Sequence, residues 1–509
     1  MMMPAKVIDR RAMSGFVAVL ALTAGTALAA PPAPMTAQQD HQNMMDQLHI
    51  TTLRPGFSGD ENAADHANYD PAKANPFPDY PDALTMEDGT PVTTAAQWWT
   101  KRRPQIVEAF EREVVGRIPA HVPKVTWTQT ASEREFFVLP GGFRGVTATR
   151  LNGHVDNSAA PGIAVDIRAM LILPEGAKNV PVLIMFGSAA FPAPMPPGDE
   201  DLARIDTALK AQLVARDPGL AEVFAKHPGY RVANAPAFPP SPPETRLQDL
   251  IGDGWGVLMV DTASIQADDG ALLTRGIIGL ANKGRPRKPD DWGALRAWGW
   301  GASRALDYLQ TRPEVDFRHV GIEGVSRYGK AALITAAFDQ RFSMVLIGSS
   351  GEGGVKPHRR NWGEAVENMT GVGAYHWMAG NFLKYGGPKN AGDIPVDSPE
   401  LLALVAPRLA FVSYGVPDKG DARWLDHQGS FMATVNAGRV WTLLGAKDLG
   451  VGNDYKAASM PPPLTDLLGG QLAWRQHTGG HTDAPNMASF IAWADRNMGR
   501  KAQVRPAAP

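Results

Sequence analysis

The stretch His319–Asp339, HVGIEGVSRYGKAALITAAFD, decides how the rest of the chain is read. A short apolar run, HVGIEG, meets a tight Gly-Val-Ser turn, and apolar residues at helical spacing begin directly after it. A sharp strand-to-helix turn lifts a serine hydroxyl clear of a sheet and sets backbone N–H groups beside it as donors to an oxyanion. Nucleophilic turns of this kind commonly read G-x-S-x-G. Here Gly324, Ser326 and Gly329 stand one residue longer. A serine at a helix start is also an ordinary N-cap. The turn alone leaves both roles open.

Working outward, the same strand-like signature recurs in IRAMLILP (167–174), VPVLIMFG (180–187), WGVLMVD (255–261), SMVLIGSS (343–350), RLAFVSYG (408–415) and VWTLLGA (440–446). Near-continuous apolar runs bounded by turn residues suit strands buried on both faces. Helical patterns lie between and around them at 291–310, 329–339, 429–437 and 487–498. Strands alternating with helices predict an α/β fold with a mostly parallel central sheet flanked by helices. Residues 188–248, Pro-rich with one polar helix, read as an insertion between strands. Residues 95–119, AAQWWTKRRPQIVEAFEREVVGRIP, read as an amphipathic helix interrupted by Pro104. No internal repeat is visible.

The bulk numbers narrow the classes of function. A net charge of -2 gives no electrostatic basis for nucleic acid or an anionic membrane as partner. The absence of cysteine excludes thiolate catalysis, zinc-thiolate sites and disulfides. Lys6, Arg10 and Arg11, the apolar run 16–29 and Ala27-Leu28-Ala29 read as an export signal over residues 1–29. That run is shorter than the roughly 20 residues a membrane span needs, so no membrane contact is expected after cleavage. Residues 30–92 read as an extended leader, 93–500 as one catalytic domain and 501–509 as a tail. The sequence leaves the choice between periplasmic and fully secreted, and the oligomeric state, open.

A nucleophilic serine needs a base, and the base needs an orienting acid. In α/β-hydrolases these follow one another as serine, acid, histidine. RQHTGGHTDAP (475–485) follows the last expected strand and precedes the last helix. His481, in a Gly-Gly-His turn, is favoured as the base over His477. Two histidines and Asp483 also raise a metal reading, which no third ligand cluster at standard spacing supports. For the acid, Asp418, Asp421 and Asp426 follow RLAFVSYG, and Glu352 follows SMVLIGSS.

At this point the motifs become specific. GVSRYGKAAL, GEGGVKPHRRNWGEAVENM, YHWMAGNFLKY, LLALVAPRLAFVSYG and RQHTGGHTD resemble the bacterial glucuronoyl esterases of carbohydrate esterase family fifteen, over about residues 95–500. The resemblance implies a serine α/β-hydrolase that cleaves esters of (4-O-methyl-)glucuronic acid on glucuronoxylan, such as lignin-carbohydrate ester links, without metal or organic cofactor. It makes Ser326 the nucleophile, His481 the base and Arg327 an oxyanion donor. Lys330, Glu364 and Trp424 would hold the sugar ring. A capping lysine, a surface glutamate and a core tryptophan are the plain alternatives for those three.

Two departures from the family pattern stand out. Val325 occupies the place where family members often have a cysteine, tied in fungal members to a cysteine beside the histidine. Fungal members also carry a glutamate after the strand that follows the nucleophile helix, and the register of SSGEGG puts Ser349 there. The acid is then expected from the later loop, with Asp421 first, Asp418 second and Glu352 as the earlier-loop alternative. Two other readings stay open at this level. One is another cell-wall serine esterase, acetylxylan or feruloyl; the other is a carbohydrate-binding homologue without turnover.

Overall fold

The computed structural model describes residues 35–139, 142–190, 199–232 and 245–501. Its strands are β1 Val125–Leu139, β2 Gly142–Val155, β3 Asp166–Pro174, β4 Val180–Gly187, β5 Gly256–Asp261, β6 Val315–Val325, β7 Met344–Gly348, β8 Leu409–Tyr414 and β9 Leu472–Gln476. They form one sheet in the order β1-β2-β3-β5-β4-β6-β7-β8-β9. From β5 through β4 to β9 all neighbours run parallel, while β1, β2, β3 and β5 pair antiparallel. Six of the seven expected runs are β3 to β8.

Side chains alternate across each strand, so neighbouring residues feed opposite layers. Val182, Ile184, Ile322, Val345 and Ile347 join the larger core with the helices Ala294–Leu309, Arg327–Phe338 and His427–Leu443. Leu183, Met185, Met344 and Leu346 join a second core with Thr245–Gly252 and Ala484–Met498. Both faces being covered explains why these strands read as unbroken apolar runs.

The seventh run is a correction. Val440–Leu443 of VWTLLGA close the helix His427–Leu443, with Val440 and Trp441 buried. A four-residue apolar run carries no period of its own, and here it continues a helix already under way. The last strand is instead β9, whose sequence LAWRQ mixes buried and polar positions. The long β1–β2 hairpin was also invisible as apolar runs. β1 is an edge strand whose middle, Thr128–Glu135, carries Thr, Gln, Ser, Glu and Arg, polar and charged groups that discourage edge-to-edge pairing with other chains.

The helix expected over 95–119 forms in pieces: Ala95–Gln97, a π turn at Trp98–Arg102, then Arg103–Glu113. Pro104 brings no N–H and crowds the preceding turn, and the wider π turn takes up that misfit. The insertion contains the helices Asp199–Arg216 and Leu220–Lys226, with only Leu202 and Asp206 buried in the longer one. Residues 35–92 lie against the domain. Met44 and Met45 of the helix Ala37–Gln47 are buried, and Arg54 donates to the carbonyls of Tyr385, Gly387 and Lys389. The export signal expected at 1–29 lies outside the described residues, as does the expected tail apart from Lys501. Among the described residues no helix is long and apolar enough to cross a membrane.

Candidate active site

Ser326 stands between β6 and the helix Arg327–Phe338 with φ 62° and ψ -128°. A non-glycine residue held there is strained, and such strain persists only where the surroundings impose it. The surroundings are two close crossings. A Cβ on Gly324 would lie 2.3 Å from the Tyr328 carbonyl carbon, and one on Gly329 would lie 2.6 Å from the Gly348 oxygen. The wider glycine spacing therefore serves the same tight turn, with the second glycine facing β7. Ser326 N–H donates to Gly348 O at 2.9 Å. Its side chain accepts no capping hydrogen bond from the helix, which removes the plain N-cap reading.

The histidine loop runs back from β9 over the ends of β8 and β7. Val416 N–H donates to Gly479 O at 2.9 Å, and Gly415 packs directly on the Gly480 carbonyl. His481 Nδ1 donates to Asp421 Oδ1 at 2.8 Å. Asp421 is fully buried, and its other oxygen accepts from Gly415 N–H at 2.7 Å, Ser349 Oγ at 2.9 Å and His427 Nε2 at 3.1 Å. Three donors thus anchor Oδ2 and leave Oδ1 to orient the imidazole. A neutral ring that donates from Nδ1 carries its lone pair on Nε2, the form a general base needs.

Burial pushes the Asp421 carboxyl up, but the hydrogen bonds from His427 and His481 outweigh it and hold the group well below the usual carboxylate range. A carboxyl with a folded pKa below its unfolded value, about 3.9, adds stability above that value and loses it as pH falls toward the folded pKa. Wild type should therefore lose part of its Tm advantage over Asp421→Asn as pH drops below about 5. Tm curves that stay parallel down to the acid limit would show that this carboxyl carries no such linkage.

The competing residues are otherwise engaged. Asp418 is exposed in the turn Pro417–Lys419. Asp426 pairs with Arg360 and caps the following helix. Glu352 is fully buried, bound to Lys356 at 2.7 Å and to His358. His477 is buried within its own turn, accepting from Gly479 N–H at Nδ1 and bonded through Nε2 to Thr482 O. Among the described residues no three His, Asp or Glu side chains are grouped to hold a metal ion.

The residues expected to face a sugar are also brought together. Lys330 Nζ donates to Ser350 O at 2.8 Å, lies 3.6 Å from Glu364 Oε2 and sits 5.7 Å over the Trp377 ring. Glu364 N–H donates to Trp424 O at 3.0 Å, and Gly363 at φ 64° lets the two backbones touch. The Trp424 ring is exposed. Arg327 Nη1 meets Asp268 at 2.9 Å, and Asp268 also binds His376 and Trp377. The guanidinium of Arg327, the residue after Ser326, is thus held by a carboxylate that His376 and Trp377 brace.

A family model described as "Glucuronyl esterase, fungi" matches residues 287–445. The carbohydrate esterase MZ0003, from an unknown prokaryotic organism, is 28% identical over 85% of this chain and 92% of its own. The 4-O-methyl-glucuronoyl methylesterase of Podospora anserina is 25% identical over 72% of this chain, which spans 60% of that relative. A solved CE15 glucuronoyl esterase from Teredinibacter turnerae superposes with a TM-score of 0.75 at 35% identity, covering 91% of this chain and all of that one. The chain belongs to carbohydrate esterase family fifteen, the glucuronoyl esterases. A member from Solibacter usitatus adds a TM-score of 0.65 at 29% identity, over 84% of this chain.

As a glucuronoyl esterase family member, the chain shows what its sequence left unread. Ser349, where the fungal pattern has a carboxylate, instead donates its hydroxyl to Asp421. His427 and Asp268 carried no signal, because each acts through a partner met only in the fold. Trp377 lies in the string YHWMAGNFLKY, which carries part of the resemblance but does not by itself place its ring beside Lys330.

Proposed function

We propose that the protein hydrolyses esters of glucuronic acid, with or without 4-O-methylation, on glucuronoxylan through an acyl-enzyme on Ser326. The observation that carries this reading is the 2.8 Å bond from His481 to buried Asp421 in a chain whose Ser326 stands in a strained strand-to-helix turn. Ser326 Oγ attacks the ester carbonyl while His481 Nε2 takes its proton. Arg327 and the free N–H groups of the helix start stabilise the oxyanion. The alcohol leaves with the proton from His481. A water deprotonated by the same imidazole then releases glucuronic acid, and Asp421 stays ionised throughout. Lys330, Glu364 and Trp424 hold the sugar, supplying a cation, an acceptor and an aromatic face. Residues 93–500 are taken as the catalytic domain behind the leader 30–92, and the start of the chain supports export.

The sugar set has its own test. Lys330→Ala should raise KM for benzyl glucuronate and barely change hydrolysis of a simple acetate ester, because an acetate has no ring hydroxyls for the ammonium. Equal losses on both substrates would assign Lys330 to the fold and return the reading to a general cell-wall esterase. Binding of glucuronate without release of benzyl alcohol by wild type would mark a binding protein instead.

A further inference from the structure

The histidine loop begins three strands away from the nucleophile, after β9, and must cross β8 and β7 to reach β6. Its contacts follow that path. Gly480 lies on Gly415 at the end of β8. A Cβ on Gly348, at the end of β7, would lie 3.4 Å from Asp483 Cβ and 2.9 Å from Val325 Cγ2. Among the described residues there is no cysteine to fasten this return covalently. One guanidinium spans the gap: Arg246 Nη1 donates to Glu323 Oε1 at 3.0 Å and to Asp483 Oδ1 at 3.2 Å. Glu323 is on β6 three residues before Ser326, and Asp483 is two residues after His481. Both carboxylates are buried, and the arginine is 22% exposed.

We propose that Arg246 is a positioning residue, an ion bridge that fixes the His481 loop against the nucleophile strand. Arg246 is itself fixed, since Leu247, Leu250 and Ile251 of its helix pack in one core with Phe490 and Ile491 of the helix that follows Asp483. Serine and histidine therefore rest on a frame of three elements, held by charges in a buried site where direct ion contacts are little screened. A base must be placed to within about 0.5 Å for efficient proton transfer, and a misplacement of about 1 Å costs on the order of a hundredfold. The bridge acts on that placement and touches neither substrate nor reacting atoms.

The proposal rests on the esterase reading, and its test separates the two. Arg246→Met should lower kcat on benzyl glucuronate about ten- to a hundredfold with KM little changed. It should also lower Tm, because both buried carboxylates lose this guanidinium. The deciding variant is the triple change Arg246→Met, Glu323→Gln, Asp483→Asn, which removes the three charges of this bridge together. It should regain Tm but keep the low kcat, and Arg246→Lys, reaching one carboxylate at a time, should recover part of the rate. These two variants decide the matter even if Arg246→Met alone does not fold. Recovery of both Tm and kcat in the triple variant would show that Arg246 only neutralises buried charge. A wild-type protein inactive on the ester would instead sink the esterase reading.

Discussion

Ser326→Ala should lower turnover of benzyl glucuronate by about three orders of magnitude or more, because the members of a nucleophile–base–acid set act as a unit. The loss should fall on kcat. Removing one hydroxyl leaves Lys330, Glu364 and Trp424 in place, so glucuronate binding measured by calorimetry should survive. The positive φ at Ser326 adds a second expectation. Alanine keeps a Cβ and therefore keeps the strain, so Tm should change little, whereas Ser326→Gly should raise it by relieving that strain. Activity within tenfold of wild type in the alanine variant would remove the serine mechanism.

Asp421→Asn should cost about four orders of magnitude in kcat. An amide can occupy the same space and still bond the ring, but its nitrogen offers His481 Nδ1 a donor where an acceptor is needed. The imidazole then favours the tautomer with its proton on Nε2, which cannot take the proton of Ser326. The three groups on Oδ2 sharpen the contrast, since Gly415 N–H and Ser349 Oγ donate there and will hold the amide oxygen in that position. The amide nitrogen is thereby turned toward His481. Asp418→Asn, in an exposed turn, should leave kcat nearly unchanged. Glu352→Gln should chiefly lower Tm, because Lys356 and His358 lose a buried charge partner. If Glu352→Gln abolishes turnover at unchanged Tm while Asp421→Asn stays active, the acid sits on the earlier loop.

Much of this was legible in the sequence where a single physical demand fixes the residue type. Strands buried on both faces must be apolar along their length, so β3 to β8 announced themselves. The nucleophile turn demanded glycine on either side of Ser326, and the crossings at Tyr328 and Gly348 show why the spacing is one residue longer than usual. The resemblance to the family, with a serine at 349 where fungal members carry a glutamate, pointed to Asp421 on the next strand end, and the fold joins those two residues by one hydrogen bond. What stayed hidden depends on tertiary partners. VWTLLGA is too short to carry a period, and the hairpin β1–β2 solvates one face and an edge. Arg246 and Asp268 look like ordinary surface charges until the fold brings each beside a residue far off in the chain.

The acyl-enzyme on Ser326 is best tested by partition. Wild type is given two glucuronate esters with different alcohols, benzyl and allyl, in the presence of a fixed concentration of ethanol. A common glucuronoyl-enzyme forgets its leaving group, so the ratio of ethyl glucuronate to free glucuronic acid should be the same from both donors, and Ser326→Ala should form neither product at a measurable rate. A product ratio that changes with the leaving group, or products that persist without Ser326, would contradict a covalent intermediate on that serine.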